Sequence, residues 1–153
     1  MHDERMEAAL DAAKAARAEN AKPLQILLVD ADASFRTRLA RKLSEEGHVV
    51  VSFSNCNDAW LRVRQSNFDL TLIDIEVPAM TGIELARRIK FRDKHSRIIA
   101  TTPNSVRNNM WASSYCKVNG FEHLLSKEGD FHSLYNNLRS LVSTGVQDNA
   151  GAP

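Results

Sequence analysis

The chain has 153 residues, 43% hydrophobic and 25% charged, with a net charge of +1. That length suits one domain with a real core, and so balanced a charge gives no long-range attraction for nucleic acid or an anionic membrane. No apolar run approaches the ~20 residues of a membrane span, and the acidic start MHDERME lacks the basic-then-apolar pattern of a signal peptide. The expectation is a cytoplasmic protein without membrane or direct nucleic-acid partners. Cys56 and Cys116 form no CxxC pair, so reduced thiols are expected rather than a disulfide.

Residues 1–22 are rich in alanine and mixed charge, with no β-branched residue. Propensity reads them as a helical extension, but its apolar seam is only Met6, Leu10 and Ala13. A solvated extension is the plainer reading; a docking or dimerisation helix is the other. Pro23 breaks the segment, and the folded domain is placed at 23–143.

From there the pattern alternates. LQILLV is a continuous apolar run suited to a strand covered on both faces. SFRTRLARKLSEEG follows as an amphipathic helix with Phe35, Leu39 and Leu43 at four-residue steps and Gly47 at its end. HVVVSF is a second strand, NDAWLRVRQS a short helix, FDLTLID a third strand, GIELARRIK a third helix and RIIATT a fourth strand. SVRNNMWASSYCKV is expected as the fourth helix and FEHLL as the fifth strand. The last helix carries Phe131, Leu134, Leu138 and Leu141 on one stripe, and residues 144–153 read as a disordered tail. Strands alternating with helices imply a doubly wound parallel sheet, whose ligands sit at the carboxyl ends of the strands.

Those ends carry chemistry. The first strand ends in Asp30, the third in Asp74, the fourth in Thr102, and the fifth leads into Lys127. Crowded carboxylates repel one another and recruit a cation, and a hard oxygen-preferring ion such as Mg²⁺ suits such a set. Beside it one carboxylate could attack a phosphoryl group whose oxygens a lysine and a threonine hold.

On the segments LLVDADASFR, DLTLIDIEVPAMTGIEL, RIIATT and GFEHLLSK, in that order, residues 24–143 resemble the receiver domain of two-component response regulators. The resemblance implies a flavodoxin-like (βα)5 fold with strand order 2-1-3-4-5, here with an extra N-terminal helix. It makes Asp74 the phosphoacceptor, and Thr102 and Lys127 the residues that bind the phosphoryl group and switch. Asp30, Asp74 and the backbone carbonyl of Glu76 become the Mg²⁺ ligands. Asp32 matches a third acid often present in the family, or else caps the first helix with Ser34. A histidine kinase or a histidine phosphotransfer protein would donate the phosphoryl group. A downstream protein target, or a second copy of the chain, would read the result.

Departures from the family pattern gather at the same place. Ala31 stands where a second acid usually touches the metal, so Mg²⁺ should bind weakly. Glu76 and Asn104 occupy positions that vary within the family. Pro103 follows Thr102 in place of a small residue, and Leu124 stands in for a switch aromatic. Glu128 replaces a proline commonly joined by a cis bond, and since a non-proline cis bond costs ~3 kcal/mol, a trans Lys127–Glu128 peptide is expected. That could shift the lysine relative to Asp74.

The main expectation is a stand-alone, non-enzymatic receiver. The alternatives are a degenerate pseudo-receiver that binds partners without phosphorylation, and a small aspartyl-phosphate phosphatase. Trp111 and Tyr115, one turn apart on the fourth helix, are the candidate partner surface. His123 is expected to pack inward. The basic run from Arg87 to Arg97 spans a helix end and a loop, where cations favour the helix dipole, and lacks a series of interleaved aromatic platforms for nucleic acid.

Overall fold

The computed structural model describes residues 4–10, 22–76, 81–103 and 109–148. Five parallel strands, β1 (Gln25–Val29), β2 (Val49–Phe53), β3 (Leu70–Asp74), β4 (Arg97–Thr102) and β5 (His123–Ser126), form one sheet. Their order is β2-β1-β3-β4-β5, as expected. The helices between and after them are α1 (Ala33–Glu45), α2 (Cys56–Val63), α3 (Gly82–Arg92), α4 (Asn109–Asn119) and α5 (Phe131–Asp148). Residues 4–10 form a separate helical segment, exposed along its length, with Met6 57% and Leu10 56% accessible.

Every residue of β3 and β4 is buried, because helices cover both faces of the central strands. Successive side chains point to opposite faces, so each strand feeds two cores. Leu27, Val29, Ile73 and Ile98 pack with Ala59 of α2, Leu85 and Ile89 of α3 and Cys116 of α4. Ile26, Leu28, Leu72 and Ile99 pack with Leu39 and Leu43 of α1 and Tyr135, Leu138 and Val142 of α5. The N-terminal segment joins neither cluster.

Both cysteines are free and buried. Burial pushes the Cys56 thiol up to about 11, with the nearby Asp74 and Glu84 charges adding to it, so it stays an unreactive core residue.

Three expectations change. The inward stripe of α5 is centred on Tyr135, Leu138 and Val142, with Phe131, Leu134 and Leu141 only partly buried at its margins. The helix also runs to Asp148, so residues 144–148 are helical rather than tail, while 149–153 lie outside the described residues. His123 is exposed. It opens an edge strand, and the inward position there is the adjacent Leu124.

Local signals fix the helix entries. Asp32 caps α1 by accepting the Ser34 and Phe35 N–H groups at 3.0 and 3.2 Å, and Asn55 caps α2 through Asp58 N–H at 2.9 Å. Thr81 caps α3 through Glu84 N–H at 3.1 Å. The next residue, Gly82, has no room for a side chain, since a Cβ there would lie 2.5 Å from the Asp74 carbonyl oxygen. The start of α3 is thereby pressed against the end of β3.

At the opposite edge Arg97, the last cation of the basic run, turns inward. It grips Glu122 at 2.8 Å and donates to the Leu141 carbonyl at 3.1 Å, tying β4 to α5.

His48 performs a similar tie between β1 and β2. Its Nδ1 accepts the Leu24 N–H at 3.0 Å, and the next residue's N–H bonds the Leu24 carbonyl at 2.9 Å. Burial holds the imidazole below its ordinary value of 6.5, against the Glu46 charge. The unfolded imidazole therefore takes a proton at higher pH than the folded one. Stability is whole above about pH 6.5 and is lost as the pH falls below it. Urea midpoints followed down from neutral pH should drop more steeply for the native sequence than for His48→Asn, whose amide oxygen keeps the acceptor without the titration. Equal slopes would exclude this role.

Candidate functional site

Parallel strands leave their carboxyl ends on one edge, and the register brings the polar residues together there. Asp74 pairs with Thr101 across β3 and β4, which places Thr102 one residue further out, paired with Ser126 of β5. The Lys127 N–H then donates to the Thr102 carbonyl at 2.7 Å. This bond sets the lysine at the mouth of the edge. Its Nζ lies 2.9 Å from Asp30 Oδ2 and 2.8 Å from Asp74 Oδ2, bridging the ends of β1 and β3. Asp30 is 1% exposed, Asp74 7% and Thr102 4%. The site is nearly closed to water.

The remaining oxygens are held too. Asp30 Oδ1 accepts the Asp32 N–H at 2.9 Å, and Asp74 Oδ1 accepts the Glu76 N–H at 2.9 Å. Burial pushes the Asp30 carboxyl above its usual range, although the bonds from Lys127 and the Asp32 N–H pull the other way. Burial pulls the Lys127 ammonium down, but its bonds to Asp74 and Asp30 outweigh that and leave it above the ordinary lysine value. One ammonium thus serves two buried carboxylates. The Lys127–Glu128 peptide is trans as expected, and the lysine reaches Asp74 all the same.

Asp32 is exposed and spends its Oδ1 on the α1 cap, which fits the capping reading. Glu76 is exposed, and its clear part in the site is the N–H it gives Asp74. Ala31, also exposed, has no side-chain oxygen to offer a metal. Among the described residues no group of three or more His, Cys, Asp or Glu side chains converges to hold a metal. The donors fit a hard cation in kind, being all oxygen. In number they are one acid short, and Lys127 competes for the two that are present.

Two supporting residues are not evident from the site motifs. The Phe35 ring lies 4.7 Å from Lys127 Nζ, and the Arg36 guanidinium donates to the Asp30 carbonyl at 2.7 Å. Both sit in the first turn of α1, where the Asp32 cap turns the helix back over the end of β1. Phe35 in turn meets Phe131 edge-on at 5.8 Å, linking the lysine to α5. Of the expected partner surface, the Trp111 side chain lies outside the described residues. Tyr115 is half-buried against the core, tilted on Phe121 at 5.9 Å.

Residues 26–139 match the response regulator receiver domain, so the chain belongs to that family of two-component signalling proteins. It is similar to the receiver protein CpdR of Brucella abortus, at 38% identity over 51% of this chain and 65% of that protein. With the response regulator PhoP of Pseudomonas aeruginosa the figures are 33%, 52% and 35%. The aligned stretch spans less than two thirds of either relative. Among solved structures, a receiver domain protein from Methanospirillum hungatei shares the fold, with a TM-score of 0.69 at 22% identity, covering 85% of this chain and all of that one. The regulator TrrA of Thermotoga maritima, solved with Mg²⁺ and a beryllium fluoride, gives 0.62 at 27% identity, covering 76% and 97%.

Removing Lys127 would leave two buried carboxylates facing each other. Lys127→Met should cost about 3 kcal/mol in urea unfolding near neutral pH, the lower end for a broken buried pair. Asp30→Asn in the same chain should restore part of that loss. Strictly additive effects would show that the three groups do not form a coupled unit.

Proposed function

We propose that the chain is a cytoplasmic receiver that accepts a phosphoryl group on Asp74 from a phosphohistidine and signals through protein contacts. The observation that carries this reading is the Asp74 carboxylate at the carboxyl end of β3, bonded to Lys127 at 2.8 Å beside the buried Thr102. In the transfer an Asp74 oxygen attacks phosphorus as the N–P bond of the donor breaks, and the electron pair returns to the imidazole. Lys127 exchanges its bond to Asp74 for one to the new phosphoryl oxygens, and the Thr102 hydroxyl donates to another.

Asp30, Asp74 and the Glu76 carbonyl are the groups that would hold Mg²⁺, whose charge would offset that of the phosphoryl oxygens. With Ala31 supplying no acid, we infer that this binding is weak. The donor would be a histidine kinase or a histidine phosphotransfer protein. The reader would be a separate protein, and no turnover of external phosphoesters belongs to this reading.

Ala31 and the doubly engaged Lys127 favour one second reading, a pseudo-receiver that binds partners without phosphorylation. Acetyl phosphate with Mg²⁺, followed by intact mass, separates the two. The mass should rise by one phosphoryl group in the native sequence and not in Asp74→Asn. No gain at high Mg²⁺, with no response to beryllofluoride, would leave the pseudo-receiver.

Ala31→Asp tests the metal account separately. It should tighten Mg²⁺ binding by about tenfold, roughly 1.4 kcal/mol. Unchanged affinity would show that position 31 does not limit the metal.

A further inference from the structure

The basic run that looked like an ordinary solvated helix end acquires aromatic partners in three dimensions. Trp60 of α2 and Arg87, Arg88, Phe91 and Arg92 of α3 line an open groove of about 650 Å³. Phe91 is 95% exposed, the most accessible of the exposed large hydrophobic residues, and Leu61 on the neighbouring helix is 55% exposed. The Arg88 guanidinium lies 5.6 Å from the centre of the half-buried Trp60 ring.

Charge here is strongly one-sided. Glu84 offsets Arg88 at 3.0 Å, and Arg92 donates to the Arg64 carbonyl at 3.1 Å, which holds its side chain without neutralising it. Arg87 makes no ion pair with a carboxylate among the described residues. Two cationic forks therefore flank an aromatic side chain that nothing covers.

We propose that this α2–α3 groove docks an acidic amphipathic segment of a partner protein. An apolar side chain of that segment seats between Trp60 and Phe91, and its carboxylates pair with Arg87 and Arg92. Aromatic residues and arginine are the side chains that most often dominate protein interfaces, and a guanidinium matches a carboxylate in bidentate geometry. The mutual repulsion of two such faces argues against a second copy packing face to face. A nucleic acid is disfavoured because three arginines, one of them offset by Glu84, form too short a patch to follow a phosphate backbone. The face is distinct from the carboxyl edge of the sheet, so the proposal stands whether or not Asp74 is phosphorylated.

The test uses the full chain and three fluorescently labelled probes. One is a short amphipathic peptide with leucine and phenylalanine on one stripe and glutamate elsewhere. The second is the same peptide with lysine for glutamate, and the third is an oligothymidine of similar length. Anisotropy should report binding of the glutamate peptide alone, weakening as salt rises from about 50 to about 500 mM. Phe91→Ser and Arg87→Glu should each weaken it tenfold or more. Both positions are exposed, and unchanged urea midpoints would confirm that the variants fold. No binding of the glutamate peptide, equal binding by Phe91→Ser or Arg87→Glu, or a preference for oligothymidine would each overturn the proposal. The last result would assign the groove to nucleic acid instead.

Discussion

One ammonium between two buried carboxylates organises this molecule. Asp30 and Asp74 come from strands that pair side by side, and without Lys127 their charges would oppose the pairing of β1 with β3 at its polar end. The lysine arrives from β5, on the far side of β4, and its backbone is pinned to Thr102. The charge cluster therefore holds four of the five strands in one register at the carboxyl edge. Its surroundings follow from this. The Asp32 cap directs α1 so that Phe35 lies beside the ammonium, and Gly82 lets α3 close onto the Asp74 carbonyl. A cation near a ring face contributes roughly 0.5–2 kcal/mol, rising as water is excluded, and here the ammonium side chain is only 13% exposed.

Lysine and a metal ion do related work in such a pocket, since each neutralises carboxylates that water no longer screens. A second acid at position 31 would make three carboxylates, more than one ammonium can balance, and would demand a further cation. With Ala31 the count is two carboxylates to one ammonium, a net of one negative charge rather than two. The demand for a divalent ion is correspondingly smaller. The same substitution that removes a ligand thus also relieves the repulsion that would recruit one. Burial still leaves the Asp30 carboxyl above its usual range, because loss of water outweighs what Lys127 and the Asp32 N–H return, with the Asp74 charge adding least.

The sheet and its edge were legible in the sequence because strand burial and strand ends are one-dimensional signals. LQILLV reads as a strand covered on both faces, and Ile26 to Val29 are buried; FDLTLID and RIIATT read as strands, and every residue of β3 and β4 is buried. The trans Lys127–Glu128 bond followed from the chemistry of a non-proline peptide alone. What the sequence hid depends on rotation and on neighbours far along the chain. The α5 stripe could be drawn through Leu134 and Leu141 or through Tyr135 and Val142, and only the meeting with α1 chooses the second. Tyr135 pays for its burial by donating to the Lys42 carbonyl at 3.2 Å, a contact across 93 positions. His123 alternates in sequence with Phe121 and Leu125, but Phe121 precedes the strand and packs with Leu124 while Leu125 packs in the other core. The alternation therefore does not mark one buried face, and the edge strand begins in solvent.

The basic run shows how far such hidden neighbours reach. As a string, Arg87 to Arg97 is mostly basic, with Asp93 as its one acid and Phe91 as its one phenylalanine, and a solvated helix end explains it. In the fold Arg97 belongs to the interior, where Glu122 neutralises it, and Arg88 is partly offset by Glu84. The string therefore loses its character as a continuous stripe of charge, the feature a nucleic-acid backbone would require. What remains is compact and mixed: unneutralised arginines around Phe91, with Trp60 delivered from another helix. A long charge stripe selects for a polymer of charges, whereas a short one with an aromatic centre selects for a side chain with carboxylates beside it. Tertiary structure thus changes the chemical class of partner that the same eleven residues suit.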